Sequence, residues 1–421
     1  MTIAGEINNP SSWVFRRAHI QRRNATTGLF EGTWTSITPY VKNWGTLESS
    51  IDDVRFNAFK HSGITLKARN DTGAFNHESL PSSLWFGFMT RYRTLIRIQA
   101  GYEDTNATDL PTDPTQGIYV MDKEAPISAD GNDITIKCSS LQSIFEEVRA
   151  RDVAGLGVTT SAGAIIAGIR GHSDASGNAI FTQFITSTAW TVDSNSANFY
   201  NPATSTSLEN LTCWGLMQNL AEAEGKVVYI TRAGGIRFEA RPIATGTSIF
   251  TFAGQGYGRQ SIIRLTEYKQ ALDKFYSFFR LKYLQAITST SYVTAGTITS
   301  INVSNISWRY GQRVYEFENT FVDNTTQAQN IVNNLFTTLG TVTSEVVFDA
   351  KMAPHVDIHD PIAISYRSFD LSTQALWDAN DWNEFNWAGG QSFDWNSQSF
   401  RIISKRLNLD NFTMHIKARE V

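Results

Sequence analysis

Charged residues are scarce in this chain of 421 residues, making up 18% of it, where about a quarter is usual in globular proteins. The formal net charge is -4, which argues against a general nucleic-acid binder, because such proteins carry an excess of Lys and Arg. No segment approaches the run of about 18 apolar residues that spans a membrane. The first residues also lack a charged leader followed by an apolar run. We therefore expect no secretory signal and no membrane-spanning segment.

Cysteine and histidine are also rare. The two cysteines, Cys138 and Cys213, lie far apart on segments that we predict to be buried. We interpret them as two core thiols made in a reducing cytoplasm, with a disulfide as the alternative. The seven histidines form no Ser-His-Asp or Cys-His set at an interpretable spacing. The glycine-rich stretch 154–171 lacks the Gly-Lys-Ser/Thr of a phosphate loop. We therefore expect no enzyme activity and no cofactor.

Aromatic residues, in contrast, reach 12% of the chain, and short alternating segments are frequent. Ile64, Leu66 and Ala68 alternate with polar residues, which predicts a strand with one buried face. The four residues 70–73 (Asn-Asp-Thr-Gly) then predict a turn, because Asn and Asp side chains bond their own backbone and glycine accepts a positive φ. The stretch 34–76 is thus typical of an antiparallel sheet with one buried face.

A helix followed by a hairpin is predicted in the middle of the chain. We expect the helix over 206–224, with Thr206 and Glu209 as a capping box and Gly225 closing its end. Two short apolar segments around a Gly-Gly turn predict the hairpin at 227–239. Cys213 and its apolar neighbours at helical spacing would face the core.

The C-terminal part of the chain again favours strands. Its one predicted helix begins at a cap formed by Asp323 or Asn324 and ends at Gly340, with apolar residues at the spacing of an amphipathic helix. Strands at 342–352 and 362–366 are expected next to it. Strands therefore outnumber helices in the prediction for the whole chain.

The order of these segments resembles that of a known family. Over the first 150 residues the order is Trp34 with Ile37-Thr38, residues 62–66, residues 70–73, Leu95 to Ile98 before Gly101-Tyr102, Gln116 to Val120, Ile134 to Cys138, and a short helix at Leu141. This order resembles the N-terminal domain of phage tail-hub proteins, the family of the baseplate hub of contractile tails and the tail-tip hub of flexible tails. The helix and hairpin at 206–239 resemble its middle module, and Tyr310 to Arg313 before the last helix resembles its C-terminal domain.

The resemblance implies a fold and a division into domains. The fold would be mainly β (α+β), with two tube-like antiparallel β-barrel domains and an α+β middle domain. We place the N-terminal tube-like domain at 1–150, the middle domain at 151–254, and the C-terminal tube-like domain with its one helix at 255–421.

The resemblance also implies a function. The chain would be a structural virion component, a tail hub whose homotrimeric ring joins the hexameric tail tube, or a distal tail protein, to a trimeric spike or fibre. Because each of the three chains would supply two similar domains, the ring would present six similar units to the hexameric tail tube. The modest negative charge agrees with a lumen that lets DNA pass without binding it. The location would be the virion tail, assembled in the host cytoplasm.

Three residues before a predicted turn are candidate metal ligands. His355, Asp357 and His359 alternate, and on a strand they would share one face. His and Asp are zinc ligands, but a closed site needs a fourth, and Asp360 would point to the other face. The other interpretation is a polar strand end before the Asp360-Pro361 turn. We assign no metal and keep these three residues as candidates.

Tryptophans and acids are concentrated in one late segment. Its tryptophans, which we predict to be interface residues, are Trp377, Trp382, Trp387 and Trp395. Carboxylates such as Asp378 and Asp381 lie between them. Our interpretation is a packing and subunit-contact loop. The alternatives are a receptor-binding carbohydrate module, because aromatic rings stack on sugars, and a tail-associated cell-wall-degrading enzyme with a pair of acids.

Overall fold

The structure is a computed structural model that describes most of the chain. The described residues are 13–23, 29–51, 59–75, 94–103, 115–122, 125–153, 160–174, 177, 179–194, 199–200, 211–240, 247–254, 257, 260–271, 273, 275–285, 289–296, 313–319, 321–322, 325–340, 343–367 and 394–420.

Strands form most of the described structure, with four helices between them. The strands are β1 (Trp13–Arg22), β2 (Thr35–Ser36), β3 (Val41–Asn43), β4 (Thr46–Ile51), β5 (Phe59–His61), β6 (Ile64–Arg69), β7 (Thr94–Glu103), β8 (Thr115–Met121), β9 (Asp133–Ser140), β10 (Thr160–Ser161), β11 (Trp190–Val192), β12 (Phe199–Tyr200), β13 (Lys226–Ile230), β14 (Ile236–Ala240), β15 (Phe250–Ala253), β16 (Ile262–Gln270), β17 (Phe278–Gln285), β18 (Ser289–Gly296), β19 (Val314–Asn319), β20 (Ser344–Lys351), β21 (Pro361–Arg367), β22 (Asp394–Asn408) and β23 (Thr413–Glu420). The helices are α1 (Gln142–Glu147), α2 (Ala162–Arg170), α3 (Cys213–Glu224) and α4 (Thr325–Leu339).

The first large sheet has seven strands in the order β2-β1-β7-β8-β9-β6-β3. On β6, Ile64, Leu66 and Ala68 are buried and the residues between them are exposed, which confirms the predicted alternation. The turn at 70–73 is also confirmed: Gly73 has φ 68°, and the Asn70 side chain accepts a hydrogen bond from the Phe75 N–H at 2.8 Å.

One segment links the two ends of this sheet. β2 and β3 are its outer strands, yet both belong to the continuous stretch 35–43. Between them, the Thr38 hydroxyl accepts from the Ala18 N–H at 3.0 Å, and the Ile37 N–H donates to the Ala18 carbonyl at 2.9 Å. Because this stretch bonds β1 on one side and β6 on the other, the sheet is curled rather than flat.

The second large sheet has the order β15-β21-β22-β23-β20-β16, and β4 and β5 join it at β22. β4 pairs with residues 404–408 of β22, so an N-terminal strand completes a C-terminal sheet. Ser261 brings the ends of this sheet together, because its N–H donates to the carbonyl of Ala253 on β15 and its carbonyl accepts from the Lys351 N–H on β20. The predicted strands 342–352 and 362–366 are confirmed as β20 and β21.

The middle of the chain contains the predicted helix and hairpin, but the helix begins later than expected. α3 begins at Cys213, and its cap is Thr212, whose side chain accepts from the Gly215 N–H at 3.1 Å. Thr206 and Glu209 lie outside the described residues, and the extended backbone of Thr212 ends any helix before it. Gly225 closes α3 with φ 67°, as predicted. β13 and β14 form the hairpin in the register Ile230↔Ile236.

The last helix packs against the middle of the chain. α4 and the small sheet β18-β17-β19 lie beside α3, where the Gln327 side chain donates to the Ala223 carbonyl at 2.8 Å. The Gly340 N–H donates to the Phe336 carbonyl at 2.7 Å, which confirms the predicted end of the helix. The predicted caps Asp323 and Asn324 lie outside the described residues.

The mainly β class with some helix is confirmed. Both cysteines are buried thiols in the structure, as predicted, and burial raises the pKa of Cys213 to about 12. The domain bounds at 150 and 254 stay predictions, and hydrogen bonds cross both: β4 joins β22, and β15, at 250–253, joins β21. No helix in the described part of the chain has both the length and the apolar character needed to cross a membrane.

Candidate functional site

The segment 352–360, which holds the metal candidates, is not a strand. It consists of two turns, in which Val356 N–H donates to the Ala353 carbonyl and Asp360 N–H to the Asp357 carbonyl, both at 3.2 Å. The strand prediction was wrong because the aspartates bond their own backbone: the Asp360 carboxylate accepts from the Asp357 N–H at 2.6 Å. Such local bonds favour turns over strand pairing.

The turns send the three candidate side chains to different neighbours. The His355 ring packs against Phe250 with ring centres 5.2 Å apart, and the His359 ring against Phe59 at 4.9 Å. Asp357 instead binds two cations. Within the described part of the chain, no group of three or more His, Cys, Asp or Glu side chains is gathered closely enough to hold a metal ion.

Asp357 is the centre of a cluster that we name the ionic junction: Arg232, Asp357 and Lys405. Arg232 Nε lies 3.0 Å from one carboxylate oxygen, and Lys405 Nζ lies 3.0 Å from the other. Lys405 also donates to the Val356 carbonyl at 2.9 Å, and Arg232 donates to the Pro354 carbonyl. The hairpin turn after β13, the 352–360 turns and β22 are therefore bonded together at one point.

Burial and charge act against each other in this junction. The Lys405 side chain is only 4% exposed, and burial lowers its pKa although Asp357 opposes the shift. Burial by itself would raise the pKa of Asp357, but Lys405 and Arg232 outweigh it and lower that pKa to about 2. Asp360 lies beside the cluster, and burial raises its pKa to about 6. The ionic junction therefore holds a charged Asp357 at neutral pH.

The variant Asp360→Asn is expected to alter the pH dependence of stability between about pH 4 and pH 6. The pKa of Asp360 in the folded state lies above its ordinary 3.8, so the folded state keeps a proton that the unfolded state releases. Wild-type stability therefore falls as the pH rises through this window, whereas an asparagine does not titrate. Urea unfolding at about pH 4 and about pH 7 measures the free energy of unfolding of both proteins. The value for the variant, relative to that for the wild type, should be higher at about pH 7 than at about pH 4. The same difference at both pH values would contradict the assignment.

Strand β5 inserts beside the ionic junction. Its Phe59 stacks on Tyr229 of the hairpin with ring centres 4.5 Å apart and meets the edge of His359. His61 Nδ1 lies 2.8 Å from the Ser49 hydroxyl on β4, and burial lowers the pKa of His61. Three distant parts of the chain, β4–β5, the hairpin and the 352–360 turns, thus share one packed site.

A second contact fixes the first sheet to the turn between β22 and β23. The Asp410 carboxylate accepts from the Trp44 N–H and from the Asn43 side chain, both at 2.9 Å. Arg16 of β1 donates to the Leu409 carbonyl at 2.7 Å. At the other side, the Tyr102 hydroxyl donates to the Met352 carbonyl at 2.7 Å. Several strands of the first sheet are therefore hydrogen-bonded to the second sheet.

The structure locates one of the four predicted interface tryptophans. Trp395 is 9% exposed and packs within the chain, with its ring 4.9 Å from Tyr268 and 5.4 Å from Phe400. Trp377, Trp382 and Trp387 lie outside the described residues. The subunit-contact prediction therefore rests on these three, and it stays a prediction.

Sequence reasoning missed the cations of the ionic junction. A signal for Lys405 was present, because it lies two residues from both Ile403 and Leu407 and so shares their buried face of β22. A lysine at such a position calls for a carboxylate partner. Nothing in the local sequence around Arg232 or Asp410 indicated their distant partners.

Neither a protein-family model nor a curated protein sequence matches this chain. Solved structures do match it. The tail protein from Neisseria meningitidis MC58 is 9% identical and superposes over 96% of each chain with a TM-score of 0.54. The 43 kDa tail protein of prophage MuSo2 from Shewanella oneidensis is 10% identical over 96% of this chain and 98% of that one, with a TM-score of 0.50.

A third solved structure matches this chain over the same share of its length. The prophage tail protein gp18 from Listeria monocytogenes EGD-e is 10% identical over 96% of this chain and 94% of that one, with a TM-score of 0.50. Identities this low show the fold and nothing more specific. The resemblance that the order of segments indicated is confirmed at that level: this chain has the fold of phage tail proteins.

Proposed function

We propose that this chain is a structural component of a phage tail or a related particle, and that it acts as the tail hub and not as an enzyme. The observation that supports this is the likeness to three tail proteins along 96% of this chain at identities of 9–10%. A protein whose role is assembly depends on its shape. Such a role favours a fold that is kept along the whole chain while the sequence changes.

In the proposed hub, three copies form a ring that joins a hexameric tail tube, or a distal tail protein, to a trimeric spike or fibre. Each copy supplies two curled sheets, so that three chains imitate six units. This role needs a constant angle between the two sheets. The β4–β22 pairing and the Asp410 contacts would hold that angle, and the ionic junction would hold the middle hairpin against the second sheet.

The proposed location is the virion tail, with assembly in the host cytoplasm. DNA would pass through the ring without specific binding, and the net charge of -4 supports this because the chain has no overall attraction for phosphates. The same proposal includes the division of the chain into three domains, with boundaries at residues 150 and 254.

The purified protein is expected to be a trimer, because only a closed ring satisfies the repeated interface. Light scattering at micromolar concentration should report three times the 47.0 kDa of one chain. Negative-stain images should show a ring with threefold symmetry and a central opening. A 47.0 kDa particle at that concentration, with no ring in native tails, would contradict the proposal.

A further inference from the structure

A polar cleft lies where the chain passes from the second large sheet to the first. Strand β5 belongs to the second sheet and β6 to the first, and only residues 62–63 join them. The cleft beside this crossing has a volume of about 470 Å³, within the range of about 300–1,000 Å³ that is usual for small-molecule sites. We name it the crossing cleft, and six of its lining residues are Glu48, Ser50, Lys60, Ser139, Gln142 and Glu146.

The lining of the crossing cleft is polar throughout. Apart from these six, it consists of three further serines, a glycine and His61. Small-molecule pockets are usually lined mainly by apolar side chains. An apolar ligand here would take polar groups out of water without giving them hydrogen bonds, which costs free energy. The crossing cleft therefore favours a ligand that is itself polar.

One buried acceptor in the lining has no partner. The Gln142 side chain is only 8% exposed, and its Nε2 is fixed by donating to Glu146 Oε1 at 2.6 Å. Its Oε1 makes no hydrogen bond within the described part of the chain. A buried acceptor left in this state is unfavourable, and such groups in native proteins call for an explanation. A hydrogen-bond donor on a ligand in the cleft would satisfy it.

Other groups of the lining are also available to a ligand. Four side chains make no hydrogen bond or ion pair with other described residues: Glu48, Ser50, Lys60 and Ser139. Together they offer a carboxylate, an ammonium and two hydroxyls, which include both donors and acceptors.

This mixture of groups restricts the chemistry of the ligand. An anion would be repelled by the carboxylates of Glu48 and Glu146, and a simple cation would be repelled by the ammonium of Lys60. A neutral molecule with several hydroxyls suits all three, because each hydroxyl donates one hydrogen bond and also accepts. Sugar rings have this property.

We propose that the crossing cleft binds a neutral sugar ring. In the complex, Glu48 and Glu146 accept hydrogen bonds from the sugar hydroxyls, and the Lys60 ammonium donates to them. One sugar hydroxyl donates to the free Oε1 of Gln142. The proposal does not depend on the hub role, because all of these groups belong to one chain.

A basic side chain of a partner protein is the other occupant that two carboxylates would suit. The sugar is favoured because Lys60 lies in the same lining. A cationic group has donors and no acceptor, so it would leave the Lys60 ammonium without a partner and close to a like charge.

Saturation-transfer NMR with the full-length protein tests the site. Glucose, galactose and N-acetylglucosamine are the probes, and at least one of them is expected to give a transfer signal. The pair Glu48→Ala and Glu146→Ala should weaken its binding by about tenfold or more, because hydrogen bonds to charged groups are lost. The control Glu267→Ala removes an exposed carboxylate on β16 that does not line the cleft, and it should leave binding unchanged.

Lys60→Ala separates a sugar from a cation. It should weaken sugar binding several-fold, because one donor is lost, whereas it should strengthen the binding of a cation, because a like charge is removed. Arginine methyl ester is the cationic probe. Binding of this probe and of no sugar, no signal from any probe, or sugar binding that is insensitive to all three alanine changes would each overturn the proposal.

The source of the sugar is tested with the methyl glycoside of the monosaccharide that binds. A glycan chain presents its sugars with a substituted anomeric oxygen, as a methyl glycoside does. Equal binding of the glycoside supports a site for a glycan chain, and binding of the unsubstituted monosaccharide alone supports a site for a free sugar.

Discussion

Replacing Asp357 with alanine is expected to lower the free energy of unfolding by about 3–5 kcal/mol, because it leaves a buried cation without its partner. Lys405 is 4% exposed and would keep only the Val356 carbonyl of the two acceptors that it has now. Arg232 would lose its ion pair as well. Urea denaturation at one fixed protein concentration measures the loss, since assembly also contributes to the apparent stability.

Two controls make this test specific. The double variant Asp357→Leu and Lys405→Met removes both charges, and we expect it to be less damaged than Asp357→Ala, because apolar pairs of similar volume replace buried ion pairs well. The exposed pair Lys282–Glu318 has a similar separation of 2.9 Å, and Glu318→Ala should cost at most about 1 kcal/mol. If Asp357→Ala costs no more than Glu318→Ala, the ionic junction does not stabilise the fold.

Replacing Phe59 with alanine is expected to lower the free energy of unfolding by about 3–5 kcal/mol, the usual range for a buried phenylalanine. Phe59 is 3% exposed and lies between Tyr229 and His359. Its removal leaves a cavity that the hairpin and the 352–360 turns can close only by moving towards each other. Urea denaturation with a tyrosine or tryptophan fluorescence signal measures the change.

Phe336 offers a matched control for Phe59. It is an aromatic residue on α4 that remains 37% exposed, so Phe336→Ala removes the same group from a site that already contacts solvent. We expect its cost to be about 1 kcal/mol or less, since surface changes are usually small. Comparable losses for Phe59→Ala and Phe336→Ala would show that β5 is not packed into the site as described.

The two predicted losses should not be additive. Phe59 contacts His359, two residues from Asp357, so both substitutions loosen the same turns. Neighbouring sites of this kind commonly show interaction energies of about 0.5–3 kcal/mol. A double variant whose loss equals the sum of the single losses would mean that β5 and the ionic junction act separately.

Much of the local structure could be predicted from the sequence. The alternation on β6, the turn at 70–73, the hairpin β13–β14 and the end of α4 all follow from residues close to one another in the chain. The alternation depends on side-chain period, the turn and the hairpin each contain a glycine at a positive φ, and α4 ends at a glycine whose missing Cβ avoids the Phe336 carbonyl. Such signals are contained in a few consecutive residues.

The candidate site was predicted poorly for a related reason. The alternation of His355, Asp357 and His359 matches a strand, but local bonds from Asp357 and Asp360 turn the backbone there. The start of α3 was also misplaced, because Thr206 and Thr212 are both good capping residues and the sequence does not distinguish them. Extended backbone at Thr212 selects the second.

By itself the sequence determined that this protein is mainly β, which faces of its strands are buried, and where several turns lie. The tertiary structure alone decided that β4 completes a sheet formed by residues from the other end of the chain, and that Asp357 meets Arg232 and Lys405. The physical reason is that side-chain period specifies which face of a strand is buried but not which strand lies beside it. That choice depends on how the two sheets pack, and it brings distant charges together.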